Sequence, residues 1–578
     1  MLRSTCFAFL AFVCLAPVLN GCSILAPSSG FTPPPPATNW ETHTVRANSV
    51  GYATGRVKTV TVVLPSGMTS LTDANADVHS AANDSVVWSC ALTGPTNDSA
   101  TSTTVYLGDF TPFDAAGEYY ISVPSLIVDG KPARSATFRI APDVFRDALT
   151  RAILSMYGQR CGMAVDFQLG GDRWSHGACH LNDAYLDYLS GVKTRKPSVG
   201  GWHDAGDYGK YITNGAFAAG MMLAAWEHFE PMLSKVSIAA IPEHGGAIPD
   251  FLDEVKWELD WLLTTQREDG GVSHKVTALD FEGFLMPEKD GSQRYYTPVG
   301  TAATGDLVAV MAQAARIYAP YDQAASAAYL AAARLGYAFL AANTGPAVPD
   351  IGDTFKTGGY GQSSDASNRL WAAAELWETT GEATLLADVE TRIGVPNVDA
   401  NFDWGNPTNL GLFTYLLSKR EGRNPTLLAD LTTDATTVAD LLTGTAKASA
   451  FGRAITGYWW GSNGAVARTA MNLWVAHQLN PDAKYLDAIA LQLDHLLGRN
   501  YYDRTQVTGV GYHPPEMPHH RPTVSDGRLA PWPGLLVGGS NPGATTWMDE
   551  TDAYQVNEVA INWSAAFIYA TAALTPAQ

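Results

Sequence analysis

Positive charge is scarce in this chain. Its 37 lysines and arginines face 57 aspartates and glutamates, a net charge of −20 that repels nucleic-acid phosphates and suits a neutral or cationic partner. The N-terminal apolar run, Cys6 to Leu19, is too short to span a bilayer. Cysteine is sparse too, and Cys90 has no partner within the strand-rich region around it, which excludes a core disulfide there. Apolar material is plentiful. At 46% of 578 residues it can fill more than one large core, so two domains are the natural minimum.

Arg3, the apolar run and Leu19-Asn20-Gly21-Cys22 read as a bacterial secretion signal over residues 1–21, whose Leu-x-Gly-Cys ending resembles a lipobox. Cys22 is then the lipidated first residue of the mature chain, and Ser23 is not the aspartate that retains lipoproteins in the inner membrane; the competing reading is a plain cleaved signal with an incidental cysteine. Residues 22–40, with Pro33-Pro34-Pro35-Pro36, lack apolar periodicity and are expected to form an extended tether. The expected location is the cell envelope, as an outer-membrane lipoprotein, or the medium as a secreted protein. Membrane contact is expected only through Cys22, and the folded body is expected to be a monomer.

Over residues 41–141 the texture is short β-rich runs separated by turn residues: Val57–Leu64, Val86–Leu92, Thr103–Leu107, Gly117–Val123 and Ala136–Ile140. That spacing predicts a small β-sandwich of immunoglobulin-like type, with a carbohydrate-binding or adhesive module as an equal reading on residues alone. From residue 142 to 578 the pattern turns helical. Phe251, Val255, Leu259 and Leu262 share one face, as do Leu486, Ile489, Leu493 and Leu497 ahead of Gly498, which is placed to cap that helix. Comparable patterns predict helices near 144–162, 212–228, 250–266, 299–318, 322–342, 362–379, 382–393, 406–419, 425–443, 462–479, 482–498 and 555–575. Periodicity alone supports only a large all-α domain.

One stretch stands apart. Gly200-Gly201-Trp202-His203-Asp204-Ala205-Gly206-Asp207-Tyr208-Gly209-Lys210-Tyr211 gathers two carboxylates, a histidine, aromatics and glycines just before a helical run. A surface turn of solvated aspartates would not need those aromatics, whereas a sugar-binding cleft uses them for stacking and orientation. The glycines at 206 and 209 are expected to give the backbone loop conformations. This stretch resembles the first catalytic segment of the family 9 glycoside hydrolases, the family that contains many cellulases. Trp547-Met548-Asp549-Glu550-Thr551-Asp552-Ala553-Tyr554-Gln555-Val556-Asn557-Glu558 and the residues after it resemble the second, with Ser564 where the family usually has asparagine. Thr508–His513 with Pro518-His519-His520-Arg521 resembles the substrate-binding histidine segment, His513 replacing the usual Asn, Lys or Arg. Asp269–Pro298, Trp404-Gly405-Asn406 and Tyr458-Trp459-Trp460-Gly461-Ser462-Asn463 also match family segments, so the likeness spans essentially the whole chain after the tether. It implies an (α/α)6 barrel for the helical domain and, from Arg46–Tyr52 and Asp109–Tyr120, the N-terminal immunoglobulin-like module of one branch.

Hydrolysis of a glycosidic bond needs a proton for the leaving oxygen and a base for the attacking water. Asp207, ahead of a helix start, suits the base; Glu558, read as lying in a mostly apolar helix, suits the acid; Asp204 orients the water or holds Asp207. A base that serves water implies inversion at the anomeric carbon. The resemblance further implies sugar contacts from His519 and Arg521, with Tyr554 and Trp459 as aromatic candidates. Cys161, Cys179, His180 and His203 supply the donor types of a tetrahedral structural zinc site. On spacing alone a Cys161–Cys179 disulfide competes equally, and His176 is a substitute ligand; the resemblance points to zinc. Calcium is a further candidate ion.

The expected function is therefore an inverting endo-β-1,4-glucanase acting on cellulose or soluble β-glucans. The alternatives are an exo-acting cellodextrinase, β-glucosidase or exo-glucosaminidase of the same family, and a noncatalytic surface glycan-binding lipoprotein, which would be expected to lack one acidic segment.

Overall fold

The structure is a computed structural model and describes residues 40–186, 191–349 and 354–577. The signal and the tether up to residue 39 lie outside the described residues.

The first domain is a sandwich of nine strands: β1 (Val45–Arg46), β2 (Gly51–Tyr52), β3 (Thr59–Val63), β4 (Asn75–Ser80), β5 (Val86–Asp98), β6 (Thr103–Asp109), β7 (Gly117–Val128), β8 (Lys131–Arg134) and β9 (Phe138–Ile140). Their order is β1-β3-β6-β5-β4-β7-β9-β2, with β8 added to β7. β5 serves both halves. Its first residues pair with β4, as in Ala76↔Cys90, and its last pair with β6, as in Asp98↔Thr103, after a register shift between Thr93 and Thr96. Val60 and Val62, Ala76 and Val78, and Ile121 and Val123 alternate inward from three strands around Tyr52, Phe110 and Phe138. β4 is absent from the sequence expectation because Asp77 and His79 break its apolar run into a six-residue alternation. Cys90 is a free thiol.

All twelve expected helices are present: α1 (Arg146–Gly158), α2 (Ile212–Leu233), α3 (Asp250–Thr265), α4 (Thr301–Tyr318), α5 (Gln323–Ala342), α6 (Ala366–Thr380), α7 (Ala383–Ile393), α8 (Thr408–Leu417), α9 (Pro425–Ala448), α10 (Ser462–Leu479), α11 (Ala483–Leu496) and, after the short α12 (Arg521–Ser525) and α13 (Tyr554–Asn557), α14 (Ile561–Ala573). Caps mark several starts. Asp322, Asn424 and Asp482 each accept a backbone N–H of the first turn, and Gly381 ends α6 in the left-handed region at φ 72°. Helices α2, α4, α6, α8, α10 and α14 each touch the next, and α14 closes the ring on α2; α1, α3, α5, α7, α9 and α11 pack outside them. This is an (α/α)6 barrel. The inner helices are buried nearly all round, as α14 is from Ile561 to Ala572, whereas outer helices such as α7 bury one stripe, Leu385, Val389 and Ile393.

The segments that enter the inner helices carry the site. The Gly200–Tyr211 stretch leads into α2, Tyr360 precedes α6, Trp404 precedes α8, Trp460 precedes α10 and Glu558 precedes α14. β12 (Lys210–Tyr211), β13 (Lys275–Thr277) and β14 (Tyr295–Tyr296) form a small antiparallel sheet that ties the long loop after α3 to the Asp204–Asp207 turn. A further hairpin pairs β10 (Val165–Leu169) with β11 (Asp172–His176).

Candidate active site

The turn that carries Asp204 and Asp207 is shaped by space more than by unusual dihedrals. Gly200 and Gly201 lie in the left-handed region, at φ 112° and 77°. Gly206 and Gly209 lie in the loop, as expected, but outside that region. A Cβ on Gly206 would stand 2.2 Å from the His519 carbonyl oxygen, and one on Gly209 would stand 2.3 Å from the Tyr211 hydroxyl oxygen. Only glycine lets the segment ending in Arg521 and the Tyr211 side chain close on the turn.

Asp204 is buried, with both oxygens engaged: Asn214 Nδ2 donates to Oδ1 at 2.7 Å and the Tyr360 hydroxyl to Oδ2 at 2.6 Å. Burial, and next the Asp207 charge, push its carboxyl up to about 8. Asp207 Oδ2 accepts the Tyr211 hydroxyl at 2.8 Å and the Gly209 N–H at 3.0 Å. These donors, not helix N–H groups, hold the Asp207 carboxylate. Tyr211 is held in turn by the Gly358 N–H at 3.1 Å, two residues before Tyr360. Tyr360 and Asn214 belong to no acidic motif, and only the fold reveals them.

Glu558 lies on extended backbone between α13 and α14, not within a helix. Its N–H reaches the Tyr554 carbonyl, but its carbonyl accepts the Gly538 N–H at 2.8 Å, and the chain resumes as α14 only at Ile561. Strand-like pairing with His519 and Gly538 outcompetes the apolar periodicity that suggested one helix from 555. Burial pushes its carboxyl well above the ordinary range, and the Asp207 and Asp204 charges push the same way. The two acidic segments touch directly, because the Ile561 N–H donates to the Asp204 carbonyl at 2.9 Å.

His519 uses Nδ1 on the Thr551 carbonyl at 2.7 Å, which turns Nε2 away as the remaining hydrogen-bonding atom. Burial and the Arg521 charge pull it down to about 4, so it is neutral. Arg521 is occupied in the protein: Nη1 donates to the Gly206 carbonyl at 2.7 Å, Nη2 to the Glu282 carbonyl at 2.9 Å, and Nε pairs with Glu282 Oε1 at 2.8 Å. Tyr554 is 42% exposed and meets Trp460 edge-on at 5.3 Å. It is Trp460, 45% exposed, that stands out to solvent rather than its neighbour Trp459, which is partly buried. Phe281, also exposed, lies 5.8 Å from the Arg521 guanidinium.

Cys161, Cys179, His180 and His203 converge as buried neighbours. Sγ–Sγ is 4.0 Å, Cys161 Sγ to His180 Nδ1 3.3 Å, Cys179 Sγ to His203 Nε2 3.7 Å, and the two imidazole nitrogens are 3.4 Å apart. Tetrahedral zinc at ordinary bond lengths requires about 3.8 Å between sulfurs, about 3.5 Å between sulfur and nitrogen and about 3.3 Å between nitrogens. The donor set fits, and both thiols are free, so the competing disulfide is absent. Asp290 accepts from His180 Nε2 at 3.1 Å, the carboxylate partner that orients a ligating imidazole. His176 turns Nδ1 to the Gly177 carbonyl and stays outside the cluster. Among the described residues this is the one grouping of three or more such side chains able to hold a metal ion.

Residues 145–571 match glycosyl hydrolase family 9, and residues 41–126 match the cellulase N-terminal Ig-like domain. The chain is 43% identical over 535 residues to Endoglucanase D of Acetivibrio thermocellus, covering 91% of this chain and 83% of that protein. It is 32% identical over 500 residues to a cellodextrinase of Butyrivibrio fibrisolvens, covering 80% of this chain and 89% of that one. Its structure superposes on that of a metagenome-derived glycoside hydrolase family 9 endoglucanase with a TM-score of 0.84 at 36% identity, covering 92% of this chain and 99% of the other. With two acidic segments in contact at one end of an (α/α)6 barrel, and with likeness along nearly its full length, the chain belongs to glycosyl hydrolase family 9.

Proposed function

We propose that the chain is an inverting endo-β-1,4-glucanase in which Asp207 is the general base, Glu558 the general acid and Asp204 the partner that orients the water. The carrying observation is the contrast between two carboxyls on touching segments. Glu558 is held protonated by burial and by the neighbouring negative charges. Asp207 has two donors on Oδ2, and no described residue donates to its Oδ1, which leaves that oxygen to accept from a water. Water then attacks the anomeric carbon as Oδ1 takes its proton, Glu558 delivers its proton to the glycosidic oxygen, and the bond to that oxygen breaks. Asp207 ends protonated and Glu558 ionised, and exchange with solvent resets both. His519 Nε2 and the exposed Trp460, Tyr554 and Phe281 offer a hydroxyl contact and stacking faces for several sugar rings. Likeness to Endoglucanase D over 91% of the chain supports internal cleavage, and likeness to a cellodextrinase keeps exo action as the second reading.

Bound zinc supplies charge neutralisation and a tetrahedral crosslink; Cys161, Cys179, His180 and His203 would hold it, pinning the residue next to Asp204 without entering the reaction. Export and anchoring through Cys22 rest on the N-terminal sequence. The test pairs activity with mode of action. Asp207→Asn and Glu558→Gln each lower hydrolysis of cellohexaose by about a hundred- to ten-thousand-fold. Wild type thins carboxymethyl-cellulose faster than it releases reducing ends and yields the inverted anomer. A variant that keeps more than about a tenth of the activity loses its assigned role, and release of end sugars without loss of viscosity establishes the exo reading.

A further inference from the structure

Glu282 sits in the long loop between β13 and β14, with its side chain only 4% exposed although the residue belongs to neither acidic segment. Its Oε1 accepts the Tyr208 N–H at 3.0 Å and pairs with Arg521 Nε at 2.8 Å. Arg521 Nη1 donates to the Gly206 carbonyl at 2.7 Å, and its backbone N–H reaches the same oxygen at 3.2 Å. The Gly206 carbonyl belongs to the peptide unit before the Asp207 Cα, and the Tyr208 N–H to the unit after it. One buried ion pair therefore fixes both planes that decide where the Asp207 side chain points.

We propose that Glu282 is a positioning residue for hydrolysis, which with Arg521 clamps the two peptide units flanking Asp207 and balances the Arg521 charge beside Glu558. This rests on the reading of Asp207 as base and Glu558 as acid. The titratable and charged groups facing Glu558 are Asp207 and Asp204 on the first acidic turn and Arg521 at the start of α12. Those facing Glu282 are Arg521, Asp207 and Asp290. Arg521 pulls the Glu558 carboxyl down, and a Glu282 carboxylate at 2.8 Å offsets that pull. Gln at 282 keeps an acceptor for the Tyr208 N–H but leaves the Arg521 charge unbalanced, whereas Ala removes both functions.

The experiment measures cellohexaose hydrolysis across pH for wild type, Glu282→Gln and Glu282→Ala, together with melting temperature and zinc content. Glu282→Ala should lower kcat about ten- to a hundred-fold, since a displacement of about 1 Å in a reacting group costs up to a hundred-fold, with little change in KM. Glu282→Gln should recover most of kcat at its own optimum, with the alkaline limb of the profile moved acidward by about one pH unit, because Glu558 loses its proton earlier beside an unbalanced guanidinium. Wild-type kcat in Glu282→Ala, or an unmoved alkaline limb in Glu282→Gln, overturns the proposal. Should the alanine variant not fold, the glutamine profile alone decides. An active Asp207→Asn protein sinks the base assignment itself; an inactive one alongside wild-type Glu282 variants sinks only the clamp.

Discussion

Gly206 is a residue whose value lies in what it lacks. Its φ is outside the left-handed region, so many residues could adopt its backbone, yet a Cβ there would meet the His519 carbonyl oxygen at 2.2 Å and the His519 Cδ2 at 2.8 Å. The first of these is main chain, which cannot swing aside as the tip of a flexible side chain can. An alanine at 206 must therefore push the Asp204–Asp207 turn away from the segment that pairs with Glu558, widening the space between Asp207 and Glu558. Catalysis is more sensitive to that than folding is, because a misplacement of about 1 Å costs on the order of a hundred-fold in rate. Gly206→Ala is expected to lose about that factor in kcat while keeping its circular dichroism and zinc content. Activity within about threefold of wild type would mean that the turn yields without moving Asp207.

At the scale of elements, the helices were legible because each buries a stripe at helical spacing, and outer helices such as α11, with Ile489 and Leu493 on its inward face, declare their boundaries through Asp482 and Gly498. Closure into a ring is a different matter: nothing in the spacing of α14 says that it returns to α2, and the resemblance to a family carried that step. The same divide runs through the site. Asp204, Asp207, Glu558, Cys179-His180 and His203 sit in dense local motifs, whereas Tyr360 and Glu282 act across loops with no motif of their own; Tyr360 lies 156 positions from the carboxylate it holds. The extended backbone at Glu558 is invisible to periodicity for a related reason, since pairing with Gly538 and His519 is long-range and leaves no periodic trace. The Cys/His cluster joins such elements: Cys161 follows α1, Cys179 and His180 follow β11, and His203 directly precedes Asp204. Metal analysis should find about one zinc per chain, and its removal by a chelator should speed amide exchange across residues 200–211 and lower the melting temperature. Unchanged exchange in that stretch after zinc loss would separate the cluster from the turn.

The whole molecule is organised by a polar seam between the sandwich and the barrel. Asn48 is fully buried; its Oδ1 accepts the Val50 and Gly51 N–H groups, and its Nδ2 donates to Asp494 Oδ1 of α11 at 2.9 Å. Around it, the Ser49 N–H donates to the Leu497 carbonyl, Arg499 Nε donates to the Thr61 hydroxyl, and Gly498, at φ 133°, brings the chain so close to Ala47 that a Cβ would stand 2.7 Å from its carbonyl oxygen. Val63 and Val105 of the sandwich share an apolar cluster with Ala450 and Phe451. The seam is buried and joined by hydrogen bonds across it, although Asp494 Oδ2 and Arg499 Nη1 have no hydrogen-bond partner; contacts of this kind couple the stability of its two sides, so the domains should unfold together. Asn48→Ala leaves buried acceptors and donors unsatisfied and is expected to cost about 1–3 kcal/mol. The loss should depend on pH. Burial pushes Asp494 up to about 7, so its contribution to stability is fully present below the unfolded carboxylate value of about 3.9 and is lost as pH rises through 7. Removing the Asn48 donor takes away a group that favours the ionised form, which raises that carboxyl further and steepens the loss. Calorimetry of Asn48→Ala should accordingly show one transition, shifted down more at pH 8 than at pH 5. Melting of the sandwich as a separate, earlier transition with the barrel unmoved, or an equal shift at both pH values, would show that the seam is a contact between independent domains and not a joint on which both depend.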